Sequence, residues 1–180
     1  MKACQILADF PRDKHIVDLG AGQGTDTSVF LQDGWTVIAV DTNPIGLWLC
    51  KRKARKAGLN NKLSCIQSWF EDYTVPACAG VNASFALPFC AREHWPDLWD
   101  NITTSIISGG VFAGQFFGRE DSWGKYPLNN NPTLHFSEQE VRTLFEGFDI
   151  LDFKEVKQQG KGPCGEKKHW HVYHVVARKN

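Results

Sequence analysis

No stretch of this sequence is apolar over the roughly 18 to 20 residues that a bilayer-spanning helix needs. The opening MKACQILADFPRDK is interrupted by Asp9, Pro11, Arg12 and Asp13 before a secretory core can form. A cytoplasmic protein with no membrane partner is expected. A block of one charge is also lacking. Lys plus Arg and Asp plus Glu balance at 20 each, so the basic surface that neutralises phosphates is missing and nucleic acid is not an expected partner. The six cysteines at 4, 50, 65, 78, 90 and 164 include no Cys-x-x-Cys pair. Several lie in apolar segments, where a reduced thiol packs as a small hydrophobe, as in a reducing cytosol. Neither an internal repeat nor a low-complexity segment is present.

The 180 residues are 42% apolar and 22% charged, which suits one compact domain over residues 1–180. Seven tryptophans and twelve phenylalanines supply core volume, and some of those rings are expected to line a pocket. Residues 2–10 read as a short helix ended by Pro11. HIVDL (15–19) is a β-rich run feeding directly into glycines, and a helix over about 24–33 closes at Gly34. WTVIAVD is a second strand ending at Asp41. A helix follows with Asn43 as N-cap, Pro44 at its first position and Gly58 as its stop.

KLSCIQ and VNASFAL read as strands three and four. The segment from Arg92 carries Leu98, Ile102 and Ile106 at helical spacing, and GVFAGQFFG is strand five. A long polar loop covers 119–134. Ser137 and Glu140 open a last helix with a start less tidy than a full capping box. DILDFKEVK and HWHVYHVVARK finish the chain. The turn-forming QQGKGPCGEK between them, with no helix, makes them an antiparallel pair. Alternating strands and helices before that hairpin demand a parallel sheet with helices on both faces, so the sheet is a mixed one of seven strands.

In open α/β sheets the ligand sits at the carboxyl ends of the strands, and the first strand-to-helix turn is the usual place. That turn is Gly20-Ala21-Gly22-Gln23-Gly24. A dinucleotide fingerprint requires a third glycine at the sixth position, which here is Thr25. Asp18, two residues ahead, repels a pyrophosphate and attracts a cation. Asp41, acceptor-only at the end of the second strand, has the reach for a ribose diol. Ribose plus ammonium points to an amino-acid nucleoside.

VDLGAGQG resembles the first motif of the class I S-adenosylmethionine-dependent methyltransferases, and VIAVD their second-strand acid. NASFALPFC, FAGQFFG-x-x-DSW and HWHVYHVVARK are similar to segments of small bacterial methyltransferases grouped with the tellurite-resistance methyltransferases. The resemblance runs from residue 15 to the end. It implies a three-layer Rossmann-like α/β sandwich with strand order 3-2-1-4-5-7-6 and S-adenosyl-L-methionine as cofactor. Gly20, Ala21 and Gly22 would then admit the methionine part, with Asp18 orienting its amino group directly or through water. Asp41, followed by Thr42, would hold the ribose. Ser68-Trp69-Phe70-Glu71 would flank the adenine, with either Trp69 or Phe70 against its face. Asn82 and Phe85, on the fourth strand, would lie under the sulfonium.

Pro88, Phe89, Trp123 and His169 are expected to line the acceptor side. The Pro88–Phe89 pair lacks the amide acceptor that amino-group methyltransferases place before such a proline, so a helix-starting turn accounts for it better. Cys90 reads as packing. His169, His171 and Tyr173 share one strand face, with Trp170, Val172 and His174 on the other. Without ligands from a second element, no metal site is expected there. Methyl transfer from a sulfonium needs alignment more than a strong base. The expected reaction is methylation of a small molecule, a soft nucleophile such as a thiol or a metalloid oxyanion, with His135 or His171 as acid, base or orienting group. A nicotinamide-dependent oxidoreductase and a non-catalytic nucleotide-binding module are the alternatives, and the chain reads as a monomer or homodimer. Only fourteen residues precede the first strand, so either the start is trimmed or the 119–134 loop and the end hairpin cover the site.

Overall fold

The computed structural model describes residues 10, 15–127, 132–163 and 165–180. The helix expected over 2–10 and the cysteines at 4 and 164 lie outside the described residues, apart from Phe10. Eight strands form one sheet: β1 His15–Leu19, β2 Thr36–Asp41, β3 Leu63–Gln67, β4 Cys78–Ala83, β5 Ile106–Gly118, β6 His135–Phe136, β7 Phe148–Lys161 and β8 Lys167–Lys179. Their order is β3-β2-β1-β4-β5-β8-β7, with β6 pairing β5 off that path. The expected order and terminal hairpin are therefore present, with one strand more than expected. That extra strand is the two residues just after the polar loop, laid parallel to the end of β5 with Phe117 opposite His135, too short to carry an alternation in the sequence.

Helices α1 Thr25–Gln32 and α2 Pro44–Lys56 cover one face of the sheet, and α3 Trp95–Ser105 and α4 Glu138–Leu144 the other. Alternation along β1 explains the division. Ile16 packs with Phe30, Leu31 and Trp35, whereas Val17 and Leu19 join Trp99, Ile102, Phe112 and Phe116. Most of the aromatic residues thus serve the core. Trp99 stands edge-on to Phe112 at 5.2 Å and Phe145 at 5.3 Å, and its indole N–H donates to the Leu144 carbonyl at 3.1 Å.

Asn43 caps α2 as expected, accepting from the Ile45 and Gly46 amides, with Pro44 next. The start of α4 is better formed than the sequence suggests. It is a full capping box in which Ser137 and Glu140 satisfy each other's backbone N–H groups. Those bonds and Arg119 hold the Glu140 carboxyl down to about 2. Two strand limits differ from expectation. β4 ends at Ala83 because Leu87–Phe89 turn into a single 3-10 turn, which leaves Phe85 beyond the strand. The hairpin strands reach Lys161 and Lys167. Between these ends the Gly162 N–H donates to the Glu166 carbonyl at 2.9 Å. Among the described residues no helix is long and apolar enough to cross a membrane. The four described cysteines, Cys50, Cys65, Cys78 and Cys90, are free thiols.

The turn from β1 into α1 carries three glycines with positive φ, Gly20 at 70°, Gly22 at 52° and Gly24 at 74°. A Cβ on Gly22 would meet nothing within 4 Å, whereas one on Gly24 would lie 2.8 Å from the Cys50 Cβ and closer still to its sulfur. Gly22→Ala is expected to lose the ~1–2 kcal/mol of left-handed strain. Gly24→Ala adds a clash with α2 and should lower the melting temperature at least twice as far, as differential scanning calorimetry on the two variants can measure.

Candidate functional site

The carboxyl ends of β1, β2 and β4 surround a cleft of about 220 Å³. Gly20, Asp41, Thr42, Trp69, Phe70, Phe85 and Phe89 line it, joined by Glu71 and Ala86. Eight of the residues singled out in the sequence, Glu71 among them, thus meet at one site. Gly20 comes close because it has no side chain; a Cβ there would sit 2.5 Å from the Ala86 Cβ. Its N–H and that of Ala21 both donate to the Val40 carbonyl, at 2.8 and 3.1 Å, which stitches the turn to the end of β2.

Asp41 completes the stitching. One carboxylate oxygen accepts from the Gly22 N–H and the other from the Asn43 N–H, each at 2.7 Å. Its own carbonyl accepts from Ser68 N–H at 3.2 Å. A single side chain therefore fixes the glycine turn, and the same residue positions the start of α2 and the chain leaving β3. Carboxylate oxygens accept more than one bond each, so Asp41 keeps acceptor capacity toward the cleft it lines.

Asp18 occupies a different position from the one its sequence context suggests. It is 2% exposed, is not among the residues lining the cleft, and its carboxyl meets Thr27 of α1. Thr27 donates to one carboxyl oxygen at 2.5 Å and Asn82 to the other at 2.8 Å. Burial outweighs these bonds and pushes its pKa up to about 6. Asn82, 7% exposed, also reaches Asp26 at 3.3 Å. Asp18 thus shapes the site through Asn82 and Thr27. Asp26, in the first turn of α1, is an acid that no motif in the sequence marked.

Phe85 has φ 52°, the single non-glycine residue with positive φ among the described residues. Such strain at a cleft persists only where neighbours impose it. Here the Phe85 N–H donates to Gln115 Oε1 at 2.8 Å, and its ring stands edge-on to Trp170 at 5.9 Å and His174 at 6.1 Å. Gln115 on β5 had no signal in the sequence beyond its place in an apolar strand.

The histidines expected to take part in chemistry are engaged elsewhere. His135 lies between the Gly118 carbonyl, 3.0 Å from Nδ1, and Thr133 Oγ1, 2.8 Å from Nε2. His171 is 3% exposed; its Nδ1 accepts from Glu120 N–H at 3.1 Å and its Nε2 donates to Glu155 at 2.8 Å. Its ring fills the space over Gly118, where any Cβ would collide with it. His169 pairs with Gln159 on the hairpin. Both histidines point to the face that packs against α4, whereas Trp170 and His174 face the Phe85 side, so the catalytic reading of His171 and the lining reading of His169 do not fit the geometry. Pro88 and Trp123 are buried. Trp123 supports the lining ring Phe89 from behind, at 5.9 Å.

The loop after β5 is clamped rather than free over residues 118–124. Asp121 accepts from Trp123 N–H at 3.0 Å and His171 N–H at 3.1 Å, and pairs with the Lys168 ammonium. Both side chains of that ion pair are fully buried. The ammonium lies 3.7 Å from the Trp123 ring centre, 4.3 Å from that of Trp170 and 5.1 Å from that of Phe117. A pair 47 residues apart in the chain leaves no periodic mark in the sequence. Cys90, beside Glu71 and Glu93, has its thiol pushed up to about 12, chiefly by burial and then by those acids, and is packing as expected.

Against known proteins, the family described as methyltransferase domain matches residues 16–110, more than half of the chain. No curated protein sequence matches. Among solved structures, the chain is similar to TehB from Haemophilus influenzae, with a TM-score of 0.81 and 17% identity over 99% of this chain and 62% of that one. It therefore spans under two thirds of that protein's length. A SAM-dependent methyltransferase from Methanosarcina mazei gives a TM-score of 0.70 and 18% identity over 94% of each chain. The 1,6-didemethyltoxoflavin-N1-methyltransferase of Burkholderia thailandensis, solved with 1,6-didemethyltoxoflavin and S-adenosylhomocysteine, gives 0.69 and 20% over 99% of this chain and 76% of that one. At these identities the likeness shows the fold.

The buried Asp18 sets a pH dependence. Its carboxyl holds a proton to about 6 when folded, against 3.8 for the ordinary value. Its favourable contribution is thus full below pH 3.8 and is lost as pH rises to about 6. At 1.36 kcal/mol per unit the loss is on the order of 3 kcal/mol. Urea unfolding of wild type and Asp18→Asn at pH 4 and pH 7 should show the variant gaining stability relative to wild type by that order between the two values.

Proposed function

The chain belongs to the methyltransferase domain family, and from that premise we propose that it transfers a methyl group from S-adenosylmethionine to a small-molecule acceptor. The observation that carries this reading is Asp41. It is a carboxylate at the end of β2, bonded to the glycine turn on one side and facing a cleft of aromatic rings on the other. The residues suit the cofactor. Gly20 leaves room for an approaching chain, Asp41 retains acceptor capacity for a diol, and Trp69 and Phe70 offer faces for a flat base. The sixth position of the glycine turn is Thr25, where a dinucleotide-binding turn carries a glycine that lets the helix pack against the pyrophosphate. This disfavours the nicotinamide alternative.

S-adenosylmethionine supplies an activated methyl group on a sulfonium. The chain's own contribution is alignment and exclusion of water. Asp41 and Thr42 would hold the ribose, and Trp69 or Phe70 would cover the adenine. Gly20, Ala21 and Gly22 would pass the methionine part toward Asn82, whose amide is oriented by Asp18 and Asp26. Phe85 and Phe89 would close the acceptor side. A cleft that holds no histidine among its lining residues suits acceptors that need little proton transfer.

Isothermal titration with S-adenosylhomocysteine tests the reading. Wild type is expected to bind it, and Asp41→Asn to bind it ten- to a hundredfold more weakly, the equivalent of losing about 1.5–3 kcal/mol of charge-assisted hydrogen bonding. An absence of binding heat for wild type at millimolar ligand rejects it.

A further inference from the structure

We propose that the acceptor is an amine bearing an aromatic ring or a nitrogen heterocycle, reacting through an uncharged nitrogen, and not an oxyanion; this rests on the methyltransferase reading above and names the substrate class of the same site. The acceptor side is a wall of rings. Phe85 and Phe89 stay 42% and 43% exposed at its mouth. Exposed rings of this size gathered around one cleft are covered most favourably by a flat apolar partner. The wall is also rigid. Phe85 is fixed by Gln115, Trp170 and His174, and Phe89 by Phe117 at 6.1 Å and by Trp123. Gln115 and the Lys168–Asp121 pair hold these supports in place.

Charge decides between acceptor classes. The ionisable residues lining the cleft are Asp41 and Glu71, both acids, and no cation lines it among the described residues. With Asp41 on the ribose, an anion would enter beside Glu71 and find no protein cation, leaving the sulfonium as its sole counter-charge. The nearest buried cation does not help. Lys168 lies behind the rings of Phe117 and Trp123, and its charge is matched by Asp121. His174, on the Phe85 side, has its pKa lowered by burial and by Lys154, which favours the neutral ring.

The products follow the same logic. The nitrogen lone pair forms the new bond to the methyl carbon as the carbon–sulfur bond breaks, and its electron pair stays on sulfur. Positive charge moves from sulfur to nitrogen, so the cavity holds one cation before and after. Aromatic faces and carboxylates favour a cation at both stages. An amine that carries an N–H releases that proton to Glu71 or to water, and a ring nitrogen without one keeps its charge. Methylating an oxyanion would instead remove the positive charge that this cavity is built to hold.

The test uses protein saturated with S-adenosylhomocysteine, titrated with quinoline, benzylamine, benzoate, selenite and tellurite and followed by tryptophan fluorescence. Release of S-adenosylhomocysteine is then measured with quinoline and the methyl donor. Quinoline and benzylamine are expected to saturate, with benzoate, selenite and tellurite at least tenfold weaker. Glu71→Gln should narrow the benzylamine-to-benzoate ratio, and Phe89→Ala should weaken quinoline. S-adenosylhomocysteine bound, with benzoate or either oxyanion matching quinoline, overturns the acceptor class and leaves the methyltransferase reading standing. So does its binding with no aromatic probe retained at millimolar concentration. Failure of S-adenosylhomocysteine itself to bind removes both.

Discussion

The site depends on one carboxylate doing two jobs. Asp41 accepts the Gly22 and Asn43 N–H groups, so the left-handed glycine turn, the end of β2 and the entrance to α2 share one anchor. Backbone N–H groups in such a turn have no strand or helix partner, and leaving them unbonded is costly. Satisfying them with the residue that also faces the cleft means that the shape of the turn and the binding surface cannot vary independently. Gly20 and Gly24 complete the constraint, one leaving space for Ala86 and the other for Cys50, so that β1, α2 and the segment after β4 approach one another without side chains between them.

Much of this was legible in the sequence, because the signals were local. Three glycines after an apolar run, an Asn-Pro pair opening a helix, and two strands joined by turn formers each specify backbone geometry within a few residues. What escaped was built from long-range pairs. Asp18 is next to the turn in sequence, yet its side chain lies on the α1 face of the sheet, and only the approach of Thr27 and Asn82 shows that it is buried. His171 sits in an alternating strand whose two faces the sequence identified correctly. That its face packs against α4 and the Gly118 turn follows from the partner strands, not from β8 itself. Gln115, Asp26 and the Asp121–Lys168 pair act across dozens of residues and had no spacing to betray them.

The aromatic residues divide in the same way. Trp99, Phe112, Phe116 and Phe145 interlock on the α3 side as core, whereas Phe85 and Phe89 sit half-exposed at the cleft, backed by Trp123, Trp170 and Phe117. Composition announced many rings; only the end of β4 and the hairpin could say which were spare. The strained backbone at Phe85 lies at the junction of the two groups, where a core-like scaffold presents a ring to solvent.

The buried ammonium of Lys168 has a bearing on how the molecule comes apart. It ties the start of β8 to the turn that ends β5, inside a box of indole and phenyl rings. Peeling the terminal hairpin from the sheet edge would break the Lys168 pair and the His171 N–H bond to Asp121 together. Fraying from this end is thereby suppressed, and hydrogen exchange in β8 becomes a property of the whole cooperative unit rather than of the edge.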